Sequence, residues 1–324
     1  MKFALLSVTY AGVFYKGKTL TLEEQVYKAK MLGFDALSIE SKRPIASPID
    51  LSLSQRRRLR EISEGEGIAL CAVESLSNFC SHIAEERENN LAMMRLTLEL
   101  ARDLGIEIVK VFAAWPGIID DQEGIGLYAP YEKGNYYSRL YPADLRKWQH
   151  AVDGIREVAD WAADMGITLA LQNHAPVTRP GHEDVLAMQH EIDRPNVKLC
   201  LDVPLYYTRQ DNEYVQRSVT ECAENIILTH YGTWNIVEKA DGDIIQVPAH
   251  NFGEIINYEA FFTALHKAGY NGYLVSESCT PIVTNHQIGG IEEVDKAVIR
   301  TLKYMKDIVQ KVSNTKQECT PPTI

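Results

Sequence analysis

The sequence predicts a single (β/α)8 barrel, and three observations predict it. Short runs rich in β-branched and aliphatic residues alternate with amphipathic helical stretches along the chain, which is the signature of a parallel sheet. Glycine recurs just past the helices and a residue or two before the next apolar run, where a left-handed stop is wanted. The count of such units reaches eight, which close into a barrel. A doubly wound open sheet is the structural alternative, but the first apolar run is not followed by the Gly-rich phosphate turn that usually marks one.

Taken in order, the apolar runs are FALLSVTY from Phe3, DALSIES from Asp35, IALCAVES from Ile68 and IEIVKVFAAWPG from Ile106. ITLALQNH from Ile167, VKLCLDV from Val197, NIILTHY from Asn225 and GYLVSES from Gly272 complete the eight. Each suits a strand buried on both faces. Helical spacing marks Leu22 to Leu32 before Gly33, Leu91 to Leu104 before Gly105, Leu145 to Met165 before Gly166 and Phe261 to Ala268 before Gly269. A final helix is expected from Ile291 to Val309. The barrel is therefore expected over 1–312, with 313–324, polar and Pro-Pro-containing, as a disordered tail. Two connections are long: Trp115 to about Asp144, rich in Tyr, Gly and Pro, and Tyr231 to about Asn257. Both follow strand C-terminal ends, the catalytic face of such a barrel, and long loops there are often lids or binding loops.

The 324 residues are 45% hydrophobic and carry a formal net charge of -11. That apolar content argues against disorder. The acidic balance argues against nucleic acid and anionic membranes as partners, because phosphate binding needs a basic stripe. The start, MKFALLSVTY, is too short an apolar run for a signal core of about 7–15 residues or a span of about 18 or more, so a soluble cytoplasmic protein is expected. The cysteines Cys71, Cys80, Cys200, Cys222, Cys279 and Cys319 show no zinc-type spacing and read as small buried hydrophobes in a reducing compartment.

A barrel gathers the last residues of its strands around one axis. The fifth run ends in Gln172, Asn173 and His174, the sixth contains Asp202, the seventh ends in His230 and the eighth in Glu277. A carboxylate in an otherwise apolar strand needs a partner or a metal. A lone strand-end histidine is usually a satisfied core residue, but His230 lies between Asp202 and Glu277 in chain order. Gln172, Asp202, His230 and Glu277 are the candidate ligands of one divalent ion. Their oxygen-rich set points to Mn²⁺ first, with Mg²⁺, Co²⁺ or Zn²⁺ as alternatives. Such an ion polarises a carbonyl while a neighbouring C–H loses its proton.

On these segments the chain, from about Phe3 to Val309, resembles the sugar phosphate isomerase/epimerase group of the xylose isomerase-like TIM barrels, which includes ketose 3-epimerases. The family pattern is Glu, Asp, His and Glu at the ends of strands five to eight. Here it reads Gln172 in LALQNHAP, Asp202 in CLDVP, His230 in LTHYG and Glu277 in VSES. The resemblance implies a metal-dependent isomerase or epimerase of a sugar or keto-sugar, and an oligomer. Family epimerases use two carboxylates on opposite faces of the substrate; an amide ligates but takes no proton, so Gln172 removes one of them. His174 and Glu277 remain as candidate bases, His174 placed on the same side as Gln172 if the strand continues. The chain is also similar to the large subunits of C-glycoside deglycosidases. That implies a lyase that takes 3-oxo-C-glycosides, releases the aglycone and works with a small β-rich partner subunit. A barrel that binds sugar without turning it over is the third reading, and intact Asp202, His230 and Glu277 speak against it.

Further residues are candidates for substrate binding. Glu40 and Glu74 end strands two and three and either contact hydroxyls or pair with Lys42 and Arg43. Lys110, charged within a buried run, reaches substrate or pairs with a carboxylate. Trp115, Tyr128, Tyr131, Tyr136 and Tyr137 stack on a ring or pack a loop or subunit interface. The Gly-Gly pair in CTPIVTNHQIGG before the last helix is a weak anion signal.

Overall fold

The structure is a computed structural model, and it describes residues 1–81, 83–115, 117–120, 126–128, 145–175, 177–179, 181–206, 209–232, 234–238, 244–248, 256–284 and 287–314. Eight parallel strands form the barrel: β1 (Lys2–Leu6), β2 (Ala36–Glu40), β3 (Ala69–Glu74), β4 (Ile108–Val111), β5 (Thr168–Gln172), β6 (Val197–Cys200), β7 (Ile226–Gly232) and β8 (Tyr273–Glu277). β1 pairs with both β2 and β8, which closes the ring, so β2 lies across it from β6. Among the described residues eight α-helices surround it: α1 (Leu22–Leu32), α2 (Leu53–Glu66), α3 (Ala84–Leu104), α4 (Leu145–Asp164), α5 (His182–Ile192), α6 (Asn212–Cys222), α7 (Tyr258–Lys267) and α8 (Ile291–Asn314). Among the described residues no helix is long and apolar enough to cross a membrane.

Local chemistry sets several boundaries. Thr21 and Glu24 form a reciprocal capping box at the start of α1, as Ser52 and Gln55 do for α2. Gly33 ends α1 at φ 84°, a backbone angle that a side chain resists. The strands are buried on both faces: Leu5, Leu37, Val73, Val109, Leu169, Leu199, Leu228 and Val275 are inaccessible to solvent. Each such aliphatic side chain stabilises the fold by about 1.5–3 kcal/mol. Gly154 on α4 lies against the buried Phe79 ring; a Cβ there would stand 2.6 Å from Phe79 Cδ1.

Four expectations are corrected. α3 starts at Ala84, not Leu91, because its first turns carry Glu85, Glu86 and Asn rather than apolar residues. Those acids favour a helix N-terminus through the macrodipole, a signal that apolar spacing does not see. α7 begins at Tyr258, earlier than Phe261, with Asn257 accepting from Ala260 N as its cap. α8 continues through Asn314, past Val309 and beyond the expected end of the domain at 312; 315–324, with Cys319, lie outside the described residues. The two long connections are not bare loops. One carries the antiparallel pair Ile118–Asp120 with Gly126–Tyr128, the other Trp234–Glu238 with Ile244–Pro248. Tyr131, Tyr136 and Tyr137 lie outside the described residues.

Candidate metal centre

The C-terminal ends of the strands carry a buried polar layer. Gln172 ends β5, and its side-chain amide donates to Asp202 Oδ2. Asp202 lies just beyond β6, which stops at Cys200 rather than running on as expected. Its backbone is held by Asn173: Asn173 Oδ1 accepts from Asp202 N at 2.8 Å and Nδ2 donates to Asp202 O at 3.2 Å. Asp202 Oδ1 accepts from the His230 backbone at 2.8 Å. Its carboxylate is therefore fixed from β5, β6 and β7 together.

His230, on β7, is the hub. Its Nδ1 stands 3.2 Å from Asp202 Oδ2, 3.6 Å from Glu277 Oε2 and 3.4 Å from the Gln172 amide. Its Nε2 stands 3.3 Å from Glu74 Oε1. Burial opposes charge on the imidazole, but Asp202 and Glu74 outweigh it and raise its pKa well above the usual histidine range. Burial likewise works to raise Asp202, and His230 and Gln172 reverse that and hold its carboxyl low. Glu277 is the most open member, with its side chain 28% exposed.

All four expected ligands thus meet around His230 Nδ1. The fit to a divalent ion rests on one further atom: Gln172 Oε1 is buried and has no hydrogen-bond partner. A buried amide oxygen without a partner is costly, and it belongs to the side chain whose other end already touches Asp202. Gln172 Oε1, Asp202, His230 Nδ1 and Glu277 make a hard oxygen-and-imidazole set suited to a divalent ion. Cys200 also approaches, since Cys200, Asp202 and His230 offer ligand atoms within 4.8 Å of one another. Burial pushes its thiol up to about 12, and its soft sulfur matches a hard divalent ion less well than the oxygens beside it. The carboxylate on His230 Nε2 is the partner that commonly orients a metal-binding histidine through its other nitrogen.

The remaining expected residues divide. Glu74 has partners within the protein. It accepts from Ser38 Oγ at 2.5 Å and pairs with Lys110 Nζ at 3.5 Å as well as with His230. Burial pushes Glu74 up, and His230, Lys110 and Ser38 bring it down to about 2. Lys110 is buried, and its Nζ also lies 3.5 Å from the centroid of the Phe112 ring. Glu40 is buried at the end of β2, with Lys42 Nζ 3.5 Å from its Oε2; Arg43 pairs instead with Asp50. His174 does not continue the strand. Its N–H turns back onto Gln172 O at 2.8 Å, and its ring packs on Phe112 and Trp115 with centroids 5.0 Å and 5.4 Å away. Its Nδ1 bonds Ala175 O at 2.5 Å, and burial lowers its pKa. Trp115 stacks on Phe112 at 4.7 Å, so these three rings form one aromatic wall. The Gly-Gly amide is already used: Gly290 N donates to Glu293 Oε2 at 3.0 Å.

Reading the sequence missed Asn173, Ser38 and the contact of Glu74 with His230. Ser38 lies two residues before Glu40, which puts both on one strand face. Asn173 offered no signal beyond its place beside Gln172.

A closed parallel barrel whose strand ends converge buried acids, an amide and an imidazole defines the class: a (β/α)8 barrel with a candidate metal centre at its C-terminal mouth. The chain belongs to the xylose isomerase-like TIM barrel family, whose pattern matches residues 26–308. No curated protein sequence matches it. Among solved structures it is similar to a D-psicose 3-epimerase determined in the presence of D-fructose, at 18% identity over 95% of this chain and 99% of that one, TM-score 0.68. A 3-keto-D-glucoside 4-epimerase from E. coli is 17% identical over 93% and 99%, TM-score 0.63. A xylose isomerase-like TIM barrel protein from Mycobacterium smegmatis, in complex with magnesium, is 18% identical over 95% and 97%, TM-score 0.66.

Proposed function

We propose that the chain is a metal-dependent enzyme that removes a proton from the carbon beside the carbonyl of a sugar or keto-sugar, as an isomerase or epimerase. The observation that carries this reading is the gathering of the Gln172, Asp202 and Glu277 side chains around His230 Nδ1, with the Gln172 amide oxygen buried and unpartnered. These four side chains would hold the ion, with Mn²⁺ the best match. When bound, it polarises the substrate carbonyl and stabilises the charge that develops as the neighbouring C–H ionises. The neighbours named above as epimerases of a ketose and of a keto-glucoside support a substrate of that kind.

The chain's own residues do the rest. Glu277, the open member of the set, takes the proton. His174 is the second candidate base. Its low pKa keeps it neutral near pH 7, and with Nδ1 committed to Ala175 O it would accept at Nε2. The wall of Phe112 and Trp115 excludes water from one side and offers flat apolar surface to a sugar ring. Gln172 favours a second outcome, because the fifth strand supplies no carboxylate. Enolisation could then be followed by elimination of an aglycone from a 3-oxo-C-glycoside, with a small β-rich subunit as partner.

The test is solvent exchange. Mn²⁺-loaded protein with D-fructose, D-tagatose or a 3-oxo-C-glycoside in D₂O should place deuterium beside the carbonyl, read by NMR. Glu277→Gln should lower the rate by about 100-fold or more, and His174→Ala should lower it while leaving bound Mn²⁺ unchanged. Product without solvent deuterium means a hydride shift and defeats the base assignment. Full activity in EDTA defeats the metal. Release of an aglycone selects the lyase.

A further inference from the structure

Glu40 is a carboxyl that the site as described does not use. It ends β2, in register with Glu74 on β3. Ser38, two residues earlier, donates to Glu74 Oε1, so this face of β2 points into the barrel and Glu40 shares it. β2 lies across the ring from β6, placing Glu40 on the wall opposite Asp202. The side chain is more than nine-tenths buried, and its Oε2 has no hydrogen-bond partner. A buried carboxylate oxygen without one is unstable as an anion. The neighbouring Glu74 has taken the available donors, Ser38, Lys110 and His230, and Glu40 is left with Lys42 Nζ at 3.5 Å.

We propose that Glu40 is the second proton-transfer group of this enzyme, a carboxylic acid that protonates the substrate carbon from the wall opposite Asp202. This rests on the enolisation reading. Glu277 takes the C–H proton, and the electron pair of that bond moves to the carbonyl oxygen. The Glu40 O–H bond then breaks as a new C–H bond forms on the other face of the same carbon, and the electron pair returns from oxygen. Glu277 is left protonated and Glu40 ionised, and exchange with water restores both. Glu40 thereby supplies the acid that an amide at position 172 cannot.

Electrostatics supports the assignment. Burial raises Glu40 to about 7, with Lys42 and Lys110 opposing and Glu74 and Glu277 adding to the rise. These groups come from its own connection and from β4, β3 and β8. Two carboxyls at one level of the barrel, one pushed to about 2 and the other to about 7, are the arrangement that separates a fixed anion from a proton carrier.

Two measurements decide it, the first on metal-free and the second on Mn²⁺-loaded protein. Isotope-edited infrared spectroscopy of metal-free native protein should show a protonated carboxyl band that disappears as pH rises through about 7, and Glu40→Gln should lack it. This arm needs no substrate. In D₂O with D-fructose and D-tagatose, Glu40→Gln should still wash deuterium into recovered starting sugar through Glu277, while epimer formation falls about 100-fold or more. Glu40→Asp should restore part of that loss, and Mn²⁺ content should be unchanged in both variants. No missing infrared band, loss of bound Mn²⁺, or an equal fall of exchange and epimerisation overturns the role of Glu40. Absence of any exchange in the native protein on these sugars counts instead against the enolisation reading, and the infrared arm then judges Glu40 by itself.

Discussion

Replacing Gln172 with glutamate sets stability against metal affinity. In the free protein the Gln172 amide donates to the buried Asp202 carboxylate. Gln172→Glu removes that bond and puts a second carboxyl in its place. A hydrogen bond to a charged group is worth about 1.5–3 kcal/mol, and the repulsion that follows brings the loss to at least about 2–3 kcal/mol unless one carboxyl takes up a proton. For 324 residues unfolding near 60 °C carries about 2.1 cal/mol/K per residue, so Tm should fall by about 3–4 °C in EDTA. A divalent ion between the two carboxylates recovers that energy on binding. Affinity for Mn²⁺ should therefore rise roughly 30- to 150-fold, and the variant's Tm deficit should vanish in saturating Mn²⁺. Scanning calorimetry with and without EDTA, together with isothermal titration of Mn²⁺, measures both effects. Unchanged Tm in EDTA with unchanged Mn²⁺ affinity would show that Gln172 touches neither Asp202 nor the ion as described.

Two other tests follow from the same structure. Because the folded pKa of His230 is raised, its ion pairs stabilise metal-free protein fully below about pH 6.5 and lose that effect as pH rises through the raised value. Mn²⁺ must displace a proton from His230, so binding should release about one proton per ion and tighten with pH; titrations in buffers of different ionisation enthalpy that give the same apparent heat would refute this. On the helices, Gly154→Ala should destabilise by about 1–3 kcal/mol because its methyl meets Phe79. Gly65→Ala, with nothing within 4 Å, should stabilise by about 0.5–1 kcal/mol. The opposite order in urea unfolding would mean that Phe79 yields without cost.

The eight strands were legible because each is a short apolar run, several of them just after a glycine, and burial on both faces makes the whole run apolar. What depends on polar residues was less legible. The first turns of α3 are stabilised by charge rather than by an apolar face, and the hairpins in the two long connections lack the alternation of a half-buried strand. The candidate site divides along similar lines. Gln172, Asp202, His230 and Glu277 could be found from chain order alone, since consecutive strands of a closed barrel deliver their ends to one rim. The far side of His230 could not. Glu74 belongs to an early strand, and only closure of the ring brings it to Nε2. Lys110 read equally well as a substrate contact or as a structural cation, and the structure adds an ion pair with Glu74 that the sequence did not name. His174 was expected along a continuing strand, and the turn of its backbone onto Gln172 O moves it to the aromatic wall instead.

Asn173 gives this mouth a property that its reacting groups do not. By bonding both backbone groups of Asp202, it extends the sheet by a side chain where the strand itself has ended. Scaffolding and the candidate site then fall to adjacent positions at the end of β5: Asn173 grips the backbone after β6, and Gln172 reaches the Asp202 carboxylate. A change of charge at the second acts on the Asp202 carboxylate, while the bonds from Asn173 keep hold of the Asp202 backbone. A barrel wired in this way can trade a carboxylate for an amide, and with it one reaction for another, while the frame around the exchange stays still.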